Sequence, residues 1–156
     1  MKNIYYYDTK IGKIAIVENG EGITNIYPAE MLKVDKMEKK ETELIKEAVK
    51  QLNEYLDGKR KEFDIPLTLE GTEFQKKVWN ELINIPFGVT MSYKEIAEKI
   101  GNPKAARAVG MANNKNPILI IVPCHRVIGS NGNLTGYACG IETKKKLLNI
   151  EKNPRV

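Results

Sequence analysis

The sequence predicts an α+β protein of two domains, and three observations lead to that prediction. Three short β patterns and one amphipathic helical pattern occupy residues 1–68. Helix-start signals and helix-breaking Pro and Gly residues recur through residues 69–156. The charge also changes, because residues 1–68 carry 12 Lys and Arg against 13 Asp and Glu, whereas residues 69–156 carry 13 against 7. We therefore expect a neutral α/β support domain followed by a basic, mostly helical domain.

The first domain is predicted as a small antiparallel sheet covered by one helix. Residues 3–8, 13–18 and 22–27 have strand character and are separated by turn residues. Residues 42–57 then place apolar side chains at helical spacing, and Asp57-Gly58 ends that helix. This domain contains no His or Cys and no cluster of acids with an obvious chemical task. We expect it to brace the second domain.

The second domain opens with two helices whose first turns carry capping boxes. Thr72 to Gln75 starts a helix that ends near Ile85, where Pro and Gly follow. Ser92 to Glu95 starts a shorter helix that ends at Gly101.

Asn102 and Pro103 predict the start of a third helix that runs to about Lys115. With the preceding helix it forms a helix-turn-helix. Residues 104–110 have mostly small side chains, which permits a close backbone approach to a partner, although helix packing accounts for the same pattern. The chain has 21 Lys and only 4 Arg, so Arg107 indicates a need for a planar, forked cation. The basic half suggests nucleic acid as the partner, and a solvated basic surface is the alternative.

The segment Pro123-Cys124-His125-Arg126-Val127 is the candidate reactive site. It follows the apolar run 118–122, which we expect to be a buried strand, and the only His of the chain adjoins one of its two Cys. An imidazole and the Arg126 cation would favour the thiolate, which is the nucleophile. Neighbours in an extended segment point to opposite sides, so we expect His125 to reach Cys124 through a water. An inert, buried cysteine is the alternative.

The end of the chain is predicted as a turn, a loop and a helix. Val127-Ile128 and Leu134-Thr135 flank a hairpin-type turn at residues 130–133. Residues 136–140 form a loop of mostly small side chains, and residues 142–151 form the last helix.

Composition excludes several classes of protein and site. No apolar stretch approaches the ~20 residues of a membrane span, and the start lacks a secretory signal, so we expect a cytoplasmic protein without membrane contact. Two Cys and one His, with no Cys-x-x-Cys pair, make a metal site improbable, so no metal is predicted. A disulfide between Cys124 and Cys139 stays open, but it would consume the candidate nucleophile.

The segment PCHRVIGSNGNLTGY, preceded by SYKEIAEKIGNPKAARAVGMANNKNP, resembles the O6-alkylguanine-DNA alkyltransferase family of DNA repair proteins over about residues 72–151. The resemblance implies a ribonuclease-H-like first domain and a winged-helix-like second domain. It also implies that a damaged guanine is flipped out of double-stranded DNA and that a cysteine removes the alkyl group from its O6. The product is a thioether, which water does not readily cleave, so each molecule would act once. A monomer that binds the minor groove and uses no cofactor is expected.

The resemblance also implies roles for the reacting residues. Cys124 matches the nucleophile, His125 matches the base that acts through a water, and Glu151 matches the acid that orients the imidazole. Tyr93 matches the tyrosine that donates a hydrogen bond to the base and crowds a phosphate. Asn116 matches the asparagine that ties the recognition helix to the active-site segment.

Further residues are implied to contact DNA or the flipped base. Arg107 matches the finger that enters through the minor groove and fills the gap left by the flipped nucleotide. Tyr137 lines the base pocket, the Cys124 and Val127 carbonyls hold the guanine amino group, and the backbone near Ala138 approaches O6. Ala138 and Cys139 occupy positions that vary between small and bulky residues, which leaves the pocket width open. The remaining implied contacts are Arg126, Ala106 and Lys104.

Three other functions compete with this interpretation. A non-catalytic sensor of alkylated bases would lack the cysteine, which this chain has. A helix-turn-helix regulator would bind DNA with an inert Cys124. A thiol hydrolase is disfavoured, because nothing in the sequence marks an acyl-binding groove or an oxyanion donor.

Overall fold

A computed structural model describes residues 1–132, 134, 137 and 139–152. The chain divides into two compact units, and the division falls between Glu70 and Gly71. The first unit also contains Pro117–Leu119, and the second contains the described part of the remaining chain. Both helices and strands are present, which confirms the predicted α+β class. None of the helices in the described residues is long and apolar enough to cross a membrane.

The first unit is a four-stranded sheet covered by one helix. The sheet order is β3-β2-β1-β4, with β1 Lys2–Thr9, β2 Gly12–Glu18, β3 Ile23–Pro28 and β4 Met37–Lys39. Strands β1, β2 and β3 form the expected antiparallel meander. Strand β4 pairs parallel to β1, so the prediction of a purely antiparallel sheet was wrong. This strand has only three residues, too few for an alternating pattern to show.

Helix α1, Glu43–Leu56, lies on this sheet and begins where the sequence predicts. The Thr42 side chain accepts a hydrogen bond from the Ile45 N–H and so caps the first turn. Helix α1 and strand β2 share a core of fully buried apolar side chains: Ile14, Ile16, Ile45, Ala48, Leu52 and Tyr55. Burying a side chain of this size contributes about 1.5–3 kcal/mol, which makes this core the source of the unit's stability.

The free edge of β3 is covered by two extended segments. Ile23 exchanges backbone hydrogen bonds with Pro66 and Thr68, and Ile26 does so with Pro117 and Leu119. The run 118–122 is buried as expected, but it is not one strand. Ile120 has φ of 74°, a left-handed conformation that is rare for a β-branched residue.

The second unit contains four helices among the described residues: α2 Glu73–Ile83, α3 Tyr93–Lys99, α4 Ala106–Asn114 and α5 Ile141–Lys152. Both predicted capping boxes are present, at Thr72 with Gln75 and at Ser92 with Glu95. Trp79 of α2 is buried and donates from Nε1 to the Ala112 carbonyl at 2.9 Å, so it belongs to the core.

Helix α4 begins at Ala106, three residues later than the predicted start at Pro103. Asn102 does not cap it, because the Asn102 carbonyl accepts from the Ala105 N–H and closes a turn before the helix. The N-cap is Ala105, which makes no side-chain cap.

The segment after Val127 was predicted as a hairpin-type turn, and its first strand has a partner that the sequence did not indicate. Strand β6, Val127–Ile128, pairs parallel to β5, Met91–Ser92. A turn is present, closed by a hydrogen bond from the Gly132 N–H to the Gly129 carbonyl. Thr135, the second residue of the expected partner segment, lies outside the described residues.

Candidate active site

Cys124, His125 and Arg126 form one turn of 3-10 helix, which replaces the extended segment assumed from the sequence. Local hydrogen bonds define the turn: the Cys124 N–H donates to the Val122 carbonyl at 2.8 Å, and the Arg126 N–H donates to the Pro123 carbonyl at 3.0 Å. All three residues are buried. A turn in the core, rather than a surface loop, therefore carries the candidate nucleophile.

Two asparagines from the end of helix α4 hold this segment. Asn116 donates from Nδ2 to the Val122 carbonyl at 2.7 Å, and its side chain also hydrogen-bonds to Cys124. Asn113 donates from Nδ2 to the Cys124 carbonyl at 3.4 Å and is itself buried. Asn116 thus joins the helix to the thiol segment as expected. Asn113 was not expected, and only its place one helical turn before Asn116 could have indicated it.

Glu151 of helix α5 binds both side chains that follow the cysteine. His125 Nε2 lies 2.6 Å from Glu151 Oε2, and Arg126 binds both carboxylate oxygens, from Nε at 2.9 Å and from Nη2 at 3.1 Å. The side chains of His125 and Glu151 are at most 1% exposed. Buried ion pairs of this kind are destabilising unless nearly all of their polar atoms are hydrogen-bonded. Their position beside the thiol therefore calls for a functional explanation.

Two further groups complete the environment of the carboxylate. Arg126 Nη1 donates to the Ile85 carbonyl at 2.7 Å, and the Gly88 N–H donates to Glu151 Oε1 at 3.2 Å. Gly88 has φ of 83°, a conformation that favours glycine. The Arg126 guanidinium is therefore committed to orienting Glu151, which argues against the direct DNA or substrate contact implied for it.

Burial raises the pKa of the Cys124 thiol to about 11, and a hydrogen bond from Asn116 and the charge of Lys144 oppose that rise. The thiol is thus neutral at rest. Arg126 was expected to supply the favourable positive charge, whereas in the structure the cation that acts on Cys124 is Lys144. The reason is that Glu151 neutralises Arg126.

Burial lowers the pKa of His125 below its ordinary value, and the hydrogen bond to Glu151 only partly opposes that change. The imidazole is therefore neutral at pH 7, with Nε2–H donating to Glu151 and the lone pair on Nδ1. A neutral imidazole is able to accept a proton, and the adjacent carboxylate would stabilise the imidazolium formed.

Tyr137 packs beside this imidazole. Its ring lies 6.4 Å from that of His125, centroid to centroid and edge to face, and the residue is 8% exposed. Cys139 is half-buried, and both cysteines are free thiols rather than a disulfide. Ala138, expected near O6 of the base, lies outside the described residues.

The helix-turn-helix consists of α3 and α4. Tyr93 begins α3 and is partly buried, and Gly110 of α4 lies so near that a Cβ there would stand 3.7 Å from the Tyr93 ring. On and just before α4, Arg107 and Lys104 are exposed and Ala106 is partly exposed. Arg107, Lys104 and Ala106 therefore lie at the surface of the helix-turn-helix, whereas the thiol turn is buried.

Lys144 is the other site residue that the sequence did not indicate. It is fully buried, and its Nζ donates to the Val127 carbonyl at 2.7 Å. Lys144, Lys145 and Lys146 together resemble a solvated helix face. Only the helical spacing of Lys144 to Leu147 and Glu151 could have shown that it points inward.

Comparison with known proteins gives the same assignment for both halves of the chain. The profile of the 6-O-methylguanine DNA methyltransferase DNA binding domain matches residues 73–153, and that of its ribonuclease-like domain matches residues 4–69. A methylated-DNA–protein-cysteine methyltransferase of Methanosarcina acetivorans is 50% identical, over 95% of this chain and 98% of the relative. The constitutive one of Bacillus subtilis is 47% identical, over 93% and 92%.

A solved structure supports the fold over nearly the whole chain. Mycobacterium tuberculosis OGT in complex with DNA is 47% identical and superimposes with a TM-score of 0.92, covering 97% of this chain and 94% of that one. The expected family and fold are confirmed, and the chain belongs to the 6-O-methylguanine DNA methyltransferase family.

Proposed function

We propose that this protein is a DNA repair enzyme that transfers an alkyl group from O6 of guanine in double-stranded DNA to the thiol of Cys124. One observation carries the proposal: a buried thiol adjoins a His125–Glu151 pair at 2.6 Å, in the same unit as a helix-turn-helix. The methylated-DNA methyltransferase names of close relatives and the DNA complex of a similar structure support the substrate.

The reaction begins with a neutral thiol and a neutral imidazole. His125 takes the thiol proton through a water, Glu151 stabilises the imidazolium, and the thiolate attacks the alkyl carbon. The carbon–sulfur bond forms as the bond to O6 breaks, and the electron pair of the broken bond stays on the guanine. The guanine takes up one proton, and the imidazolium gives up the proton that it took from the thiol, so His125 ends neutral. The thioether does not hydrolyse, so one molecule repairs one base.

The remaining residues are proposed to bind and orient the base. Val127 and Cys124 offer carbonyls to the guanine amino group, and Tyr137, Tyr93 and the backbone near Ala138 line its pocket. Asn116 couples helix α4 to the thiol turn, a proposal that its 2.7 Å bond to the Val122 carbonyl supports.

DNA is proposed to lie along the helix-turn-helix with its minor groove toward α4. Arg107 would occupy the stack vacated by the flipped base, with Ala106 and Lys104 beside it, and exposure of Arg107 and Lys104 supports this placement. Residues 69–156 are then the DNA-binding and alkyltransferase domain and residues 1–68 the support domain. A reduced thiol is required, which favours a cytoplasmic location.

Stoichiometry tests the proposal against its rivals. A duplex with one O6-methylguanine is titrated into a fixed amount of protein, and restored guanine is counted. We expect a plateau at one guanine per protein molecule. Continued turnover indicates a hydrolase, and binding without restoration indicates a sensor or a regulator.

A further inference from the structure

Lys144 is a fully buried lysine on helix α5, and the steps described so far give it no role. Its Nζ donates to the neutral carbonyl of Val127 at 2.7 Å, and it shares the inner face of the helix with Leu147 and Glu151. Burying an ammonium group carries a large desolvation cost, and lysines are almost never fully buried without a charged or polar reason.

The other charged and titratable groups around the thiol turn do not supply a net positive charge to a thiolate at Cys124. Arg126 is neutralised by Glu151, and His125 is held neutral by burial, with Lys144 and Arg126 also lowering its pKa. Cys139 stays protonated, because burial raises its pKa to about 12. Lys144 is held at the same turn as the thiol, because its Nζ donates to the Val127 carbonyl and the Val127 N–H donates to the Cys124 carbonyl.

The influence between Lys144 and Cys124 is mutual. Burial raises the pKa of Cys124 and lowers the pKa of Lys144, and the opposite charges of the two groups partly counter both shifts. Two buried groups that favour each other's charged forms are thermodynamically coupled.

We propose that Lys144 is the buried cation that stabilises the Cys124 thiolate as it forms and that its charge, rather than its hydrogen bond to Val127, is what the reaction requires. In the alkyl transfer, which rests on the proposed function, Lys144 keeps its proton throughout. The thiol proton passes to His125, and the sulfur–carbon bond replaces the carbon–O6 bond.

The first test uses a reaction of the thiol that needs no DNA. In a Cys139→Ser background, the rate of Cys124 alkylation by iodoacetamide is followed from pH 6 to 11 for the parent, Lys144→Met and Lys144→Gln. Gln keeps an N–H donor without the charge, whereas Met keeps neither. We expect both variants to move the thiol pKa upward and to lower the rate at pH 7 at least about tenfold, since each unit of pKa is tenfold in thiolate.

The matched control is Lys145→Met, because Lys145 is the adjacent, exposed lysine on the same helix. It should leave the profile unchanged. If Lys144→Gln shows the pH profile of the parent, the hydrogen bond to Val127 and not the charge is what matters, and the proposal is wrong. If both Lys144 variants show the parent profile, Lys144 has no effect on the thiol, and the proposal is also wrong.

A second measurement does not need a Lys144 variant to fold. The pKa of Lys144 is measured by carbon-13 NMR of its Cε in the parent and in Cys124→Ser. Because the coupling is reciprocal, the pKa of Lys144 should fall when residue 124 no longer ionises. An equal pKa in both proteins would contradict the proposal. Neither readout depends on methylated DNA, so a failure here is distinct from a failure of the repair assay.

Discussion

The two units of this protein differ in their ion pairs, because only the second unit has buried ones among the described residues. In the first unit the ion pairs Lys2–Glu70, Lys10–Asp57 and Arg60–Glu54 all lie at the surface, with side chains 29–60% exposed. In the second unit Glu151 and His125 are at most 1% exposed and Lys144 is fully buried. Exposed pairs contribute little, whereas buried charges are costly unless they are paired. Glu18 of the first unit is also buried, but it accepts a hydrogen bond from the neutral side chain of Asn3. The buried ion pairs that Glu151 makes with His125 and Arg126 therefore distinguish the second unit from the first.

The largest effect is expected from Glu151→Gln. The change leaves the buried Arg126 cation with neutral partners in place of its carboxylate, so we expect a loss of about 3–5 kcal/mol in the free energy of unfolding. Urea unfolding followed by fluorescence of Trp79, the single Trp, reports on this unit. Glu142→Gln is the control, because Glu142 is exposed on the same helix. Equal effects of the two substitutions would remove the contrast between buried and surface charge.

His125→Ala should slow single-turnover alkyl transfer by about 10²–10⁴-fold, the usual contribution of a general base. The pH dependence should change as well. In the parent, burial lowers the pKa of His125 below its ordinary value of 6.5. The imidazole is therefore neutral at pH 6.5 and above, and the rate should be nearly flat from pH 6.5 to 8. Without His125, reaction depends on spontaneous thiolate, and the rate should rise about tenfold per pH unit while pH stays below the thiol pKa. Parallel profiles would exclude His125 from proton transfer.

Arg107→Ala should separate the exposed helix surface from the buried turn. If Arg107 fills the gap left by the flipped base, it offsets part of the unstacking cost of a few kcal/mol. Without Arg107 that part of the cost is no longer offset, and duplex repair should fall about 10- to 100-fold. Reaction with free O6-methylguanine or O6-benzylguanine needs no flipping and should be nearly unchanged. Arg107→Lys should recover only part of the duplex rate, because an ammonium group does not stack. Equal losses on duplex and free base would assign Arg107 to the fold.

The smallest effect is expected in the first unit. Arg60→Gln removes an exposed pair with Glu54 at 2.9 Å, and we expect a change of roughly 0.2–1 kcal/mol in unfolding free energy. Circular dichroism of urea unfolding measures it, with the repair rate as a second readout that should not move. A loss as large as that of Glu151→Gln would show that burial does not separate the two units.

Short-range signals were the most reliable part of the sequence analysis. The capping boxes at Thr72 and Ser92 were predicted correctly, because a side chain and a backbone N–H three residues apart define them. Asn102 followed the same reasoning and was wrong, since its carbonyl closes a turn with Ala105. A turn and a helix start share their preferred residues, and only tertiary packing separates them.

Long-range partners were the part that sequence reasoning did not reach. Cys124 and His125 were proposed from their adjacency in the sequence and Glu151 through the family resemblance, and the structure brings His125 and Glu151 to 2.6 Å. Arg126 was expected beside the thiol, yet 25 residues later Glu151 supplies the partner that neutralises it. Lys144 was hidden in a run of three lysines, because charge alone does not indicate which one faces the core.

The most direct test of the account is the mass of the protein after reaction. The intact protein is incubated with excess duplex containing O6-methylguanine, weighed by mass spectrometry and mapped by peptide. We predict a gain of one methyl group, about 14 mass units, located on Cys124 in all molecules and absent from Cys139. Cys124→Ala should gain nothing while still binding DNA. A methyl group on Cys139, or restored guanine with no gain in protein mass, would contradict the account.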